Sequence, residues 1–165
     1  MEFVTTLWNG GGSLLSYVVP FLFVLTIVVF VHELGHFLVA RWCGVDVKVF
    51  SIGFGRELFG FNDRRGTRWR FALIPLGGYV KFSGDADAAS AGTDSAELRA
   101  MTPEERARSF PAQSIGERAA IVAAGPIANF LLAILIFGAT VYAFGKPVLA
   151  PRVDRVVAGS AAERA

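Results

Sequence analysis

His32-Glu33-Leu34-Gly35-His36 stands inside a stretch that otherwise has the composition of a membrane span. Residues 14–31 read LLSYVVPFLFVLTIVVFV without a charge, and the apolar run resumes at Phe37-Leu38-Val39-Ala40. A carboxylate at the centre of a membrane helix costs about 2.5–3.5 kcal/mol on insertion scales. Such a residue is retained where it has a task. Histidines at positions i and i+4 share one helix face and can hold one zinc ion, and the Glu after the first of them can serve as general base. HExxH also arises by chance on solvated helices. Here both of the chain's 2 histidines fall within the motif, and the acid between them is the only one in the apolar stretch. The metal-site reading is therefore the stronger one.

The chain of 165 residues is 53% hydrophobic and contains 15 Phe, above the ~45–50% apolar content of soluble domains. Two segments, residues 14–42 and 119–144, are long enough to cross roughly 30 Å of hydrocarbon at ~1.5 Å per residue. Glu2 is the only charge before Glu33, so the first segment lacks the basic start of a signal peptide and is expected to be a retained span. No Lys or Arg precedes it; Arg41, Lys48 and Arg56 follow it, and Arg106, Arg108 and Arg118 precede the second span. The positive-inside rule then places the region between the spans in the cytoplasm and both outer ends on the other side. Nucleic acid is not an expected partner, because the basic residues alternate with acids and form no stripe. Cys43 is the only cysteine; one thiol makes no intrachain disulfide, and it reads as a small residue at the membrane interface.

Five regions follow. Residues 1–44 hold the first transmembrane helix with HExxH. In residues 45–83 the pattern changes to period two, with Val45, Val47 and Val49 alternating with Asp46 and Lys48, as in a half-buried strand. Residues 67–74 (TRWRFALI) and 78–82 (GYVKF) read as further strands joined by Pro75-Leu76-Gly77. The expectation is a small antiparallel sheet of three or four strands on the cytoplasmic side of the first helix, dipping partly into the membrane. Residues 84–117 form a polar linker and a short surface helix: 84–96 are small and polar, and Thr102-Pro103-Glu104-Glu105 is a helix start with Thr as cap and Glu at its third position. Residues 118–145 hold the second transmembrane helix, where Pro126 removes a backbone hydrogen bond and Gly125 permits close helix contact. Asn129 is polar in that span, and the sequence leaves two readings open: helix–helix hydrogen bonding, or a donor facing the metal site and its substrate. Residues 146–165 turn polar and are too few to make a domain.

The ordered set of HELGH, ARWCGVDVKVFSIGFG (40–55), IPLGGYVKF (74–82) and RAAIVAAGPIANFLLA (118–133) resembles the N-terminal portion of bacterial site-2 proteases, intramembrane zinc metalloproteases of the regulator of sigma-E protease type. The resemblance covers nearly the whole chain, and PRVDRVVAGSAAERA (151–165) is similar to the opening of that family's PDZ domain. It implies a membrane protein of α-helical class, with two transmembrane helices here and a small membrane-associated antiparallel β region between them. It implies Zn2+ as cofactor, His32 and His36 as its ligands, and Glu33 as the catalytic base. Single-span membrane proteins, such as anti-sigma factors and remnant signal peptides, are the implied substrates. The implied location is the bacterial inner membrane, with the PDZ side periplasmic or extracytoplasmic.

The family's third zinc ligand is an Asp in an NxxPxxxLDG-like motif on a later helix, and these 165 residues contain no such motif. Glu57 and Asp46 are the acids one would try in its place, but one belongs to a glycine-rich loop and the other to a strand outside the membrane. The chain is accordingly expected to be an N-terminal fragment, inactive by itself, whose missing C-terminal part supplies the third ligand. The alternatives are a catalytically inactive scaffold that binds membrane peptides through its sheet, and a membrane protein that uses the histidines to bind metal without proteolysis.

Overall fold

The computed structural model describes residues 2–86, 92–146 and 158–159, with side chains from residue 14 onward. Helix α1 (Glu2–Trp42) is continuous over 41 residues. Its Leu14–Trp42 portion and helix α4 (Ile115–Phe144) are each long and apolar enough to cross a membrane. Outward side chains such as Phe21, Phe23, Phe130 and Leu131 are more than half exposed, which suits contact with lipid rather than water. At the start of α4, Ser114 Oγ accepts from the Glu117 N–H at 3.3 Å while the Glu117 carboxylate accepts from the Ser114 N–H at 2.9 Å. This reciprocal cap satisfies two helix-end donors.

Between the spans, β1 (Val47–Asn62) and β2 (Arg68–Phe82) pair antiparallel. The expected three or four strands are thus two in the structure. Pro75-Leu76-Gly77, expected as a connection, lies inside β2. The reason is glycine. Gly53, Gly55 and Gly77 adopt φ of 87°, 85° and 155°, and such residues bend a strand without ending its ladder. Each bent strand serves twice. Phe50 and Ile52 face Val80 and Gly78 on one side and Trp69 and Phe71 on the other, while Phe61 and Asn62 return to pair with Trp69 and Arg68. Four segments therefore lie side by side, and residues 78–82 form one edge.

The core sits where α1 meets this sheet. Phe30, Leu34, Phe37 and Ala40 recur at helical spacing and pack on Phe50, Val80 and Phe82. Phe50 is fully buried, with Trp69 stacked on it at 4.3 Å. Burial of a side chain of that size contributes about 1.5–3 kcal/mol.

The described parts of the polar linker hold more structure than their composition suggests. Asp85 bridges to Thr93, and Asp94 caps helix α2 (Ser95–Ala100) by accepting from the N–H groups of Ala96 and Glu97 at 3.0 and 2.9 Å. The small polar residues here act as caps, a role that composition alone does not separate from a linker. Helix α3 (Pro103–Ala107) opens on the Thr102–Glu105 capping box. Beyond it, the Phe110 N–H donates to the Ser83 carbonyl at 3.0 Å, and the Arg108 carbonyl accepts from the Asp46 N–H at 3.0 Å. The segment is thereby tied to the base of the sheet.

The chain divides into two compact units. Met1–Ala133 contains α1, the sheet, α2, α3 and the first part of α4; Ile134–Ala165 contains the rest of α4. The expected start of a PDZ domain, residues 151–165, lies outside the described residues apart from 158–159.

Candidate metal centre

The helical period puts His32 and His36 on one face of α1, with ring centroids 4.8 Å apart. That face meets α4 through small residues. A Cβ on Gly35 would run into the Ala124 carbonyl and lie 2.8 Å from the Ala128 Cβ. A Cβ on Gly125 would collide with His36 Nε2 and lie 2.8 Å from His32 Nε2. Both Nε2 atoms therefore converge on the space that a glycine leaves open.

The other ring nitrogens are held by α4. His36 Nδ1 donates to the Ile121 carbonyl at 2.7 Å. Because a carbonyl only accepts, this bond fixes the tautomer with the Nε2 lone pair free. His32 Nδ1 lies 3.1 Å from Asn129 Nδ2. Two imidazoles anchored at Nδ1 and converging at Nε2 make a donor set that suits zinc. The residues present therefore fit the metal. Among the described residues no group of three or more His, Cys, Asp or Glu assembles. Glu57 is engaged in an ion pair with Arg68, and Asp46 lines a different cavity with Arg41, Arg65 and Arg108. Neither completes the site.

Glu33 faces the sheet instead. With His36, Gly78, Tyr79, Val80 and Ile121 it lines a cavity of about 550 Å³. A Cβ on Gly78 would lie 3.3 Å from Glu33 Cγ and 2.7 Å from the Ser51 carbonyl. Glycine at that position lets the edge of the sheet approach the carboxylate, and the Val80 main chain lies against it. Pro126 has no N–H, so the carbonyl of Val122 loses its usual helical donor; Val122 also lines this cavity.

The site thus gathers His32, Glu33, His36 and Asn129, all singled out in the sequence. It adds two features that were not, the Ile121 carbonyl and the close approach of Gly78, and it makes Gly125, read in the sequence as a point of close helix contact, a cradle for the two rings. Gly125 carried a signal, as a small residue beside proline in an apolar helix. A main-chain carbonyl carries none, because every residue has one.

A family model described as peptidase family M50 matches residues 20–162. A protein of Mesorhizobium japonicum, provisionally named a zinc metalloprotease, is 57% identical over 151 residues, which cover 92% of this chain and 41% of that protein. A similarly named protein of Agrobacterium fabrum is 54% identical over 162 residues, 98% of this chain and 43% of its own length. The metalloprotease MmpA of Caulobacter vibrioides is 47% identical over 159 residues, 92% of this chain and 40% of its own length. The chain spans about two fifths of the length of these curated relatives. Zinc is the cofactor that the family and these names imply.

Proposed function

The chain belongs to peptidase family M50, and we propose that it is the histidine-bearing N-terminal part of an intramembrane zinc endopeptidase. The reaction is hydrolysis of a peptide bond in or near the transmembrane segment of single-span membrane proteins, of the anti-sigma-factor or remnant-signal-peptide class. The observation that carries this reading is the convergence of two Nδ1-anchored histidines on the Gly125 cradle, with Glu33 at an adjoining cavity. His32 and His36 would hold zinc, with a third ligand from sequence outside these 165 residues.

Bound zinc supplies Lewis acidity, polarising the scissile carbonyl and making water at the site easier to deprotonate. Glu33 takes the proton from the attacking water at its carboxylate and returns it to the leaving amine nitrogen. The cavity beside Glu33 admits the water and the peptide. A helical substrate must first unwind, since its carbonyls are occupied by its own i→i−4 bonds. The edge at residues 78–82 offers main-chain groups to an extended peptide by β-addition, and that edge passes Glu33. The exposed Leu58, Phe59, Leu73 and Leu76 of the sheet rest against lipid in this arrangement. The protein sits in the bacterial inner membrane with the region between the spans cytoplasmic, the N-terminus extracytoplasmic, and residues 151–165 beginning a PDZ domain on that same side.

In a polypeptide of the relatives' full length, Glu33→Gln is expected to retain zinc and to lower cleavage of a transmembrane substrate by about 10²- to 10⁴-fold. His32→Ala and His36→Ala should lose metal together with activity. Normal cleavage by an expressed Glu33→Gln protein overturns the protease reading and leaves the scaffold. A reporter at Ala91 should be cytoplasmic, and one at the N-terminus should not; a cytoplasmic N-terminus refutes the orientation.

A further inference from the structure

The two histidines are anchored unequally. His36 Nδ1 meets a carbonyl, which can only accept, so its tautomer is settled by the main chain. His32 Nδ1 meets an amide, which can either donate or accept. With Nδ2 toward the ring, Asn129 donates to a bare Nδ1, and the ring proton then occupies Nε2, the atom that must ligate zinc. With Oδ1 toward the ring, Asn129 accepts from Nδ1–H and Nε2 is free. Asn129 Oδ1 is buried and has no hydrogen-bond partner among the described residues. Turning the amide by half a rotation therefore breaks no bond on its far side. The same geometry serves both orientations, and zinc ligation selects the second.

We infer that Asn129 is the positioning residue for His32: its Oδ1 accepts from His32 Nδ1–H and so fixes the tautomer and ring orientation in which Nε2 binds zinc. This deepens the zinc-site reading and rests on it. It also separates the two roles that an intramembrane Asn can play. As helix–helix glue, Asn129 would bond a group of α1 without regard to its chemistry. Its only hydrogen-bond partner among the described residues is instead the back of a ligand ring. An acceptor behind a ligating imidazole holds the ring and raises the basicity of the ligating nitrogen.

The test measures zinc affinity, by chelator competition, in the full-length protein and three variants. Wild type should bind zinc and His32→Ala should not. If wild type fails to bind, or His32→Ala binds as well as wild type, the zinc-site reading itself falls. With that control in place, Asn129→Leu, which keeps the volume and removes the acceptor, should weaken zinc binding about 10- to 100-fold. Asn129→Asp, which accepts but cannot donate when ionised, should stay within about threefold of wild type or bind more tightly, as carboxylate–histidine–zinc pairs do. Wild-type affinity in Asn129→Leu overturns the inference while leaving the zinc site standing. Equal losses in Leu and Asp overturn it as well, because they assign the role to the amide N–H or to packing.

Discussion

Two polar clusters lie on α1, His32-Glu33-His36 within the helix and Arg41 in its last turn, and their hydrogen bonds are closed to different degrees. Arg41 forms an ion pair with Asp63 and donates to Thr67 Oγ1 at 2.7 Å, while Thr67 donates onward to the Val47 carbonyl at 2.7 Å. Asp63 also accepts from the N–H groups of Arg65 and Thr67 at 2.9 and 3.0 Å and from the Trp69 indole at 3.4 Å. The guanidinium lies over the Phe37 ring at 4.7 Å. In that cluster donors and acceptors meet one another. In the histidine cluster the Nδ1 atoms are engaged, both Nε2 atoms turn toward a glycine, and the Asn129 oxygen has no partner among the described residues. A saturated cluster fastens a helix to a sheet. One whose bonds stop at a shared space leaves ring nitrogens there to meet a ligand.

The sharpest way to break this contrast is Gly125→Ala. One methyl group fills the space where the two Nε2 atoms converge, so zinc binding should fall by more than about 100-fold, beyond the usual loss of an outer-shell partner. At Gly116 an added Cβ meets nothing within 4 Å, so Gly116→Ala should leave zinc affinity unchanged. Any change in stability there should stay within the ~1 kcal/mol of helix propensity. Wild-type zinc affinity in Gly125→Ala would remove the basis for calling that space a site.

The saturated cluster should respond in the opposite sense. Thr67 is 1% exposed, and Thr67→Val keeps its shape while removing one of the acceptors of Arg41 and the hydroxyl that donates to the Val47 carbonyl. Denaturation should show a loss of about 1–3 kcal/mol, with the zinc affinity of the folded protein unaltered. A parallel loss of zinc affinity would mean that the two clusters are one cooperative unit.

The smallest expected effect is a pH dependence. Burial by itself would raise the pKa of Asp63, but the N–H groups of Thr67 and Arg65, the Trp69 indole and Arg41 outweigh it and hold the carboxyl below its usual value. A carboxyl depressed in the folded state adds stability above its unfolded pKa and loses it as pH falls through the folded one. Trp69 emission, followed in a Trp8→Phe, Trp42→Phe background, should therefore hold steady at neutral pH and shift only below about pH 4. Asp63→Asn should abolish that acid transition. An unchanged transition in that variant would assign it to another carboxyl.

Much of the site was legible because its signals are local. The histidine spacing and the charge inside an apolar run each lie within a few residues, and each acts through helix geometry or solvation. The sheet was less legible. Gly77 read as part of a connection between strands when it is a bend within one, since a positive φ is compatible with either outcome and only pairing across the sheet decides. Asp63 lies between β1 and β2, and nothing nearby in sequence announces that it receives Arg41. Asn129 stood between packing and function because its partner is 97 positions away.

What the sequence by itself determined is the helix that carries HELGH, the two apolar spans and the glycine-punctuated β region, all consequences of periodicity and transfer energy. Tertiary structure alone decided which atoms those elements present to one another. It set the Ile121 carbonyl behind His36, Asn129 behind His32, the bare face of Gly125 before both rings and Gly78 against Glu33. The physical reason is that hydrogen-bond direction and steric space depend on fractions of an ångström between elements distant in the chain. A propensity reports what a segment favours; only packing reports where its atoms come to rest.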